Sequence, residues 1–411
     1  MATLFQIEEA PGTDPQLRLC CTSMPGDAGP PVFPGGGGGD GKGDHMKRVL
    51  TVFGTRPEAI KLAPVILELE KHRDRFENLV CVTAQHREML DQVLEWFRIQ
   101  PTYDLDLMQP DQGLAEFASR ALVAVSELLQ EVQPDMVLVQ GDTTTVMVAA
   151  LAAFYRHIPV GHIEAGLRTH NRYNPFPEEI NRRMAGVLVT FHFAPTARAA
   201  DALRAEHVPE ENIFITGNTV VDALLMTVKR PVKLELDFSL DRRRLILVTA
   251  HRRESFGAPF ESICLSLRDL VERNADVEIV YPVHLNPNVR KPVARILAGH
   301  PRIHLLEPMR YEQFVHLAAQ AYLILTDSGG IQEEAPVLGK PVLVMRETTE
   351  RSEATDAGTA RLVGTDRQRI VAETERLLYD EDEYRAMAQA GSPFGDGRAA
   401  ERIVNILLAK L

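Results

Sequence analysis

The stretch Ala321–Gly339, AYLILTDSGGIQEEAPVLG, changes character twice along its length. Ala321–Leu325 is a short apolar run, the pattern of a strand buried on both faces of a parallel sheet. Thr326-Asp327-Ser328-Gly329-Gly330 carries no bulky side chain, and Ile331-Gln332-Glu333-Glu334-Ala335 reads as a helix start. A strand, a glycine pair and a helix N-terminus together make an anion site. Gly329 and Gly330 let the backbone approach an oxygen closely, and the first-turn N–H groups point at it. Ser328 adds a hydroxyl or caps the helix. Glu334 falls about one turn in, where it can accept from a sugar diol. On this reading the element grips a nucleotide diphosphate. The plainer reading, a Ser-Gly N-cap in an α/β protein, stands beside it, because short glycine motifs recur by chance.

Working outward, the same pattern recurs. LILVT (Leu245–Thr249) followed by Ala250-His251-Arg252-Arg253-Glu254 parallels Arg48–Phe53 followed by Gly54-Thr55-Arg56-Pro57-Glu58. MVLVQGDTTT, with its strand at Met136–Val139, is echoed by LILTDSGGIQ. Further strands are expected at Leu79–Thr83, Val160–Ile163, Phe191–Ala194 and Ile213–Thr216. Helices are expected at Glu58–His72, from Gln85, and at Leu114–Val132, Val146–Tyr155 and Glu178–Leu188. Alternating strands and helices predict two α/β, Rossmann-like, doubly wound domains facing each other across a cleft. Ligands bind beyond the carboxyl ends of such strands, where the polar clusters lie. The expected boundaries are 46–217 for the first domain, joined by a returning helix within 396–411, and 218–395 for the second. Gly217–Asp241 is expected to hold the crossover.

Residues 1–45 are different material. They hold 16 Gly and Pro with no sustained periodicity, so they are expected to be a disordered tail. They lack a signal-peptide pattern. Met46 opens a well-formed strand, which leaves the tail either dispensable or a misassigned start. Hydrophobic content of 45% and charged content of 25% are those of a globular protein. A net charge of −12 argues against a general nucleic-acid binder. No apolar run reaches the roughly 18 residues of a membrane span. Of Cys20, Cys21, Cys81 and Cys264, only the last two lie outside the tail, and neither has metal-type spacing, which fits a reduced, cytoplasmic enzyme.

Arg56, Lys61, His251, Arg346 and Arg351 sit beside predicted strand ends or helix starts, where they could compensate a diphosphate leaving group. Taken singly, each is more simply a solvated surface cation. Asp142 in QGDTTT, Glu164 in HIEAG and Glu178 after PFP come from neighbouring strand ends and could act as acids and bases on a sugar ring. Asp142 as a turn cap and Glu178 as a helix N-terminal charge are equally good readings. Glu164, ending an apolar strand, has no such structural explanation. P-loop, dinucleotide-fingerprint, nucleophile-elbow and zincin motifs are absent, and the histidines do not cluster, so no cofactor and no metal are expected.

VFGTRPEAIKLAP (Val52–Pro64), TAQHREMLDQVL (Thr83–Leu94), QGDTTT (Gln140–Thr145), HIEAGLRT (His162–Thr169), PFPEEINR (Pro175–Arg182), ITGNTVVDAL (Ile215–Leu224), HRRESFG (His251–Gly257), YPVHLNPNV (Tyr281–Val289) and TDSGGIQEEAPVLGKPVLVMRETTER (Thr326–Arg351) closely resemble the bacterial non-hydrolysing UDP-N-acetylglucosamine 2-epimerases, in order, essentially from Met46 to the C-terminus. The resemblance implies a two-domain, GT-B-like fold, and interconversion of UDP-GlcNAc and UDP-ManNAc, for surface polysaccharides, by eliminating UDP across C1–C2 to give 2-acetamidoglucal and adding it back. It implies Asp142, Glu164 and Glu178 as the acid/base group, with His251 near the diphosphate. It also implies Arg56, Ser328, Gly329 and Gly330 on phosphate, Glu334 on ribose, Lys61 and Arg351 near the nucleotide, and Phe314 by the uracil. Gln85, His86 and His284 resemble a second, activating UDP-GlcNAc site. A homodimer is the expected assembly. The 45-residue tail and Ser352, where proline is expected, depart from the family.

Three other activities share parts of this pattern. A GT-B glycosyltransferase needs an acceptor. A hydrolysing epimerase would release free ManNAc. A non-catalytic UDP-sugar sensor would keep DSGG and lose the carboxylates, all three of which are present.

Overall fold

The computed structural model describes residues 46–83, 87–109, 112–239 and 243–411. The disorder expected of residues 1–45 and the positions of Gln85 and His86 lie outside the described residues.

Seven parallel strands make the first sheet: β1 (Lys47–Phe53), β2 (Phe76–Val82), β3 (Tyr103–Asp104), β4 (Met136–Gln140), β5 (Val160–Ile163), β6 (Phe191–Ala194) and β7 (Ile213–Ile215), in the order β3-β2-β1-β4-β5-β6-β7. Six make the second: β8 (Arg244–Thr249), β9 (Val277–Pro282), β10 (Ile303–Leu306), β11 (Leu323–Thr326), β12 (Val342–Val344) and β13 (Ala360–Leu362), in the order β10-β9-β8-β11-β12-β13. Helices cover both faces, so β4 and β11 are buried at every residue and read as unbroken apolar runs rather than alternating ones.

The strand order reverses between β1 and β4 in one sheet and between β8 and β11 in the other. These are the four strands whose sequences echo one another. Each pair therefore opens a crevice at its carboxyl end, where doubly wound folds bind ligands.

Two segments differ from the sequence reading. The apolar run beginning at Ala321 enters the sheet only at Leu323. Ala321 instead closes the helix Tyr311–Gln320, its N–H bonding back to Ala318 O at 3.1 Å. Periodicity cannot separate a helix's last buried residue from a strand's first. The irregular Asp/Pro-rich stretch supplies the edge strand β3, paired to Cys81 and Val82. Within Gly217–Asp241 lies a helix, Thr219–Val228, which serves both cores. Ala223 and Leu224 pack with the first sheet's apolar cluster, Val220 and Val221 with the second's.

The last helix, Ala399–Lys410, buries Ala400, Ile403, Val404 and Leu407 in the first core. Its start is held by Asp222, whose carboxylate accepts from Ala399 N at 3.2 Å and Ala400 N at 2.9 Å. No helix among the described residues is long and apolar enough to cross a membrane.

Candidate active site

In the first half, β1 ends in Gly54-Thr55, and Pro57 sits in the first turn of the helix Arg56–Leu69. Glu58 completes the capping box there. One oxygen accepts from Gly54 N at 3.0 Å and Thr55 N at 2.7 Å, and the other from Thr143 Oγ1 at 2.6 Å. This buried carboxylate thus ties the loop after β1 to the loop after β4. Beside Thr143, Asp142 pairs with Arg182 at 2.6 Å and keeps part of its side chain exposed.

Glu164 follows β5 in the left-handed region, at φ 65°. A non-glycine residue there is strained by roughly 1–3 kcal/mol, a conformation that collects at functional sites. Its carboxylate receives Lys61 Nζ at 2.6 and 2.7 Å, Gln140 Nε2 at 2.5 Å and Asn218 Nδ2 at 2.9 Å. The same Asn218 amide nitrogen donates to Glu333 at 2.8 Å, and Glu333 accepts from Arg351 Nε at 2.5 Å. Lys61, Glu164, Asn218, Glu333 and Arg351 therefore form one network joining the two halves. Burial pushes the Glu164 carboxyl up, but Lys61 and Arg351 outweigh it and hold the group well below the usual carboxylate range. Burial pushes Glu333 up, against the pull of the same two cations.

In the second half, Asp327 follows β11 and accepts from His251 N at 2.6 Å and Arg252 N at 2.7 Å, both in the loop after β8. Ser328 starts the helical turn Gly329–Glu334, but its hydroxyl makes no cap bond; Ser328 N–H instead donates to Thr326 Oγ1 at 2.9 Å. The Ser328 hydroxyl is therefore not committed to the helix. A Cβ on Gly329 would lie 3.0 Å from Glu350 Oε1, 3.7 Å from the Arg351 guanidinium carbon and 3.9 Å from an Arg252 nitrogen. The turn thus faces arginines around a carboxylate, and Arg346 bonds Glu350 at 3.0 Å. Burial raises Glu350, but Arg351, Arg346 and Arg252 hold it at about 2.

Glu334, in the same turn, is pushed up to about 7 by burial and the neighbouring Glu333, against the pull of Lys61 and Arg56. Burial lowers Arg56, and Glu334 and Glu312 oppose that. Phe314 and Glu334 border one small recess with Leu224, Ile331 and Leu338.

The structure brings together Arg56, Lys61, Glu164, Glu334 and Arg351, with the Ser328–Gly330 turn beside them. Glu178 begins its helix half-exposed and makes no hydrogen bond or ion pair with the described residues. His284 stacks on His251, ring centroids 5.2 Å apart. The fold thus sets a residue assigned to a second site against one assigned to the main cleft.

Sequence reasoning missed Glu58, Gln140, Asn218, Asp327 and Glu333 as site residues. For Glu58 the capping-box spacing from Thr55 was a usable signal. For the others nothing local separates them from caps and turn formers. A cavity of about 410 Å³ opens between the loop after β5 and the loop after β12, bordered by Arg168, Arg198, Arg252 and Arg346. Among the described residues no group of acidic, histidine or cysteine side chains is arranged to hold a metal ion.

Residues 68–408 match the family model described as UDP-N-acetylglucosamine 2-epimerase. A UDP-N-acetylglucosamine 2-epimerase of Salmonella typhimurium is 56% identical over 369 residues, covering 88% of this chain and 98% of that protein. The crystal structure of UDP-GlcNAc 2-epimerase from Neisseria meningitidis bound to UDP-GlcNAc is 50% identical, with a TM-score of 0.83, over 88% of this chain and 100% of that one. The Methanocaldococcus jannaschii UDP-GlcNAc 2-epimerase in complex with UDP-GlcNAc and UDP is 34% identical, with a TM-score of 0.76, over 89% of this chain and 100% of that one.

Proposed function

The chain belongs to the UDP-N-acetylglucosamine 2-epimerase family, and from that premise we propose that it inverts C2 of UDP-GlcNAc to give UDP-ManNAc without hydrolysis. The observation that carries this reading is the network in which Glu164 is joined, through the single amide of Asn218, to Glu333 in the turn opened by Ser328–Gly330. A carboxylate for the sugar and a grip for the diphosphate are thereby one hydrogen-bonded unit.

The chemistry needs both. A base removes the C2 proton, the C1–O bond breaks, and its electron pair leaves on the diphosphate oxygen, giving 2-acetamidoglucal and UDP. The return delivers a proton to the opposite face of C2 while the diphosphate oxygen re-forms the bond to C1. Arg56, Ser328, Gly329 and Gly330 hold the diphosphate and Glu334 the ribose. Phe314 lies by the uracil in the recess it shares with Glu334.

Glu164 as it stands is a poor base, because Lys61 and Arg351 stabilise its charge. An incoming diphosphate competes for both cations and so restores proton affinity to Glu164. Glu178, free of partners among the described residues, and Asp142, oriented by Arg182, complete the acid/base group. His251 balances charge on the departing UDP. We assign the domains as 46–217 with the helix within 396–411, and 218–395.

Incubating UDP-GlcNAc in deuterated water and following proton NMR tests the reading. Loss of the H2 signal together with new UDP-ManNAc resonances is expected. No exchange at C2 would sink it, and free ManNAc would point to the hydrolysing reaction instead.

The finer expectations have their own support. Val123, Phe154, Tyr155, Met184 and Val187 are exposed on three helices packed side by side, Leu114–Val132, Thr144–Tyr155 and Glu178–Leu188, a surface suited to a second copy in a homodimer. Light scattering would then give twice the chain mass, falling to one for Val187→Glu. The free thiols of Cys81 and Cys264 suit the reducing cytoplasm. By the resemblance we assign Gln85, His86 and His284 to an activating UDP-GlcNAc site, so Gln85→Ala should reduce activation by UDP-GlcNAc more than it reduces UDP binding in the main cleft.

A further inference from the structure

We infer that Asp327 is a positioning residue for His251, holding the imidazole with Nδ1–H turned toward Asp327 so that Nε2 faces the diphosphate. The inference rests on the reading of the cleft given above. Asp327 is fully buried. Its Oδ2 accepts the backbone N–H groups of His251 and Arg252 at 2.6 and 2.7 Å, which fixes the carboxylate plane relative to the loop that carries the histidine. Its Oδ1 has no hydrogen-bond partner among the described residues. A buried carboxylate oxygen left without a donor is unfavourable and calls for an explanation. His251 Nδ1 lies 3.5 Å from that oxygen, just beyond a formed bond. Such contacts in unliganded sites commonly tighten when substrate arrives.

The neighbours leave little else for either group to do. Thr249 and Thr326 bond each other across β8 and β11 at 2.6 Å, and neither hydroxyl bonds the Asp327 Oδ1 atom. The Arg252 side chain donates to the Asp327 backbone carbonyl at 3.3 Å rather than to the carboxylate. One face of the His251 ring is covered by His284, nearly parallel at 13°. His284 Nδ1 itself accepts from Asn286 N at 3.1 Å, so that ring is oriented too. Held by its edge at Asp327 and its face at His284, the His251 ring has its second nitrogen left for the cleft.

Charge follows from this geometry. Burial lowers the basicity of His251, as do His284 and Arg252, while Asp327 and Glu254 raise it. The resting ring is then neutral, with its proton on Nδ1. A bound diphosphate adds negative charge at Nε2, and the ring takes up a proton there, which it donates as a hydrogen bond to the phosphate oxygen that receives the electron pair of the breaking C1–O bond. The imidazolium is then flanked by anions on both edges, and in the neutral resting ring the buried carboxylate fixes the tautomer.

Long-range proton–nitrogen NMR on the full chain labelled with ¹⁵N-histidine reads this without any mutation. The resting His251 is expected as the Nδ1–H tautomer, and saturation with UDP at pH 7 is expected to protonate both nitrogens. An Nε2–H tautomer in the resting protein would overturn the inference. Asp327→Asn offers an amide N–H where the oxygen stood. It is expected to flip the ring to Nε2–H and to lower kcat by about 100-fold, with UDP affinity changed less than about 3-fold. A role through His251 also predicts that Asp327→Asn adds nothing to His251→Ala, whereas a further loss in the double variant would make Asp327 merely structural. An Nδ1–H ring in a protein that leaves UDP-GlcNAc unchanged would uphold the positioning and remove only the substrate.

Discussion

The two switch points are clamped by buried carboxylates of opposite origin. In the first half the clamp is Glu58, which reaches from the loop after β1 to Thr143 after β4. In the second half it is Asp327, which reaches from the turn after β11 back to the loop after β8. Asp142 and Asp327 stand in matching turns of the two sheets, but their fates differ. Asp327 is spent inward as the clamp, so its turn offers a ligand only N–H groups and a hydroxyl. Asp142 is spared because Glu58 does that work, and it stays at the cleft beside Arg182. The same α/β crevice thereby presents N–H groups and a hydroxyl in one half and a partly exposed carboxylate in the other.

The sharpest way to break this division of labour is Glu164→Gln. Exchange at C2 should fall by about 10³-fold, while UDP affinity stays nearly unchanged. Undiminished deuterium incorporation would remove Glu164 from the chemistry. Gly329→Ala is the converse. Its Cβ would press on Glu350 at 3.0 Å, and UDP should bind roughly 30-fold more weakly, about 2 kcal/mol by calorimetry. An unchanged dissociation constant would mean that the turn does not face phosphate.

Acid should separate the halves further. His162 and His192, neighbours on β5 and β6, are buried with one ring nitrogen each unpaired among the described residues. Burial first, aided by Arg168 for His162 and by His162 and then Arg168 for His192, holds them at about 4 and about 3. Because these native values lie below the unfolded one near 6.5, the unfolded chain binds more protons in acid. Stability is then full above about pH 6.5 and falls as pH drops toward the native values. Between pH 7 and pH 5 the loss from His192 is about 2 kcal/mol. The urea midpoint of His192→Phe should fall less over that interval, and an equally steep fall would show that the histidine is not responsible. The smallest effect is expected of Glu58→Gln, about 1 kcal/mol of stability. Its thermal midpoint should drop while UDP affinity holds, and a loss of UDP affinity instead would mean the two clamps are not independent.

The helices Leu114–Val132 and Glu178–Leu188 and the strands β5 and β6 end where apolar periodicity and cap residues place them. The β1/β8 and β4/β11 echoes could be seen as paired motifs before any fold was known. Glu164 could be singled out because no local role accounts for it. Its partners could not be. Lys61 lies 103 residues away and is drawn by turn-level reasoning only to the nucleotide. Asn218 and Glu333, 115 residues apart, look like a helix cap and a helix-surface acid. Ser328 stands at the N-cap as the sequence reads, but its hydroxyl makes no cap bond.

Local conformation follows from neighbours a few positions away, so strands, turns, caps and the doubly wound class were already written in the residue pattern. A buried ion-pair network depends on which distant side chains a packed interior forces to share one low-dielectric space, and on which donor reaches a carboxylate first. That competition among Lys61, Gln140, Asn218 and Arg351 was resolved only when the two sheets came together, and with it the charge state of Glu164.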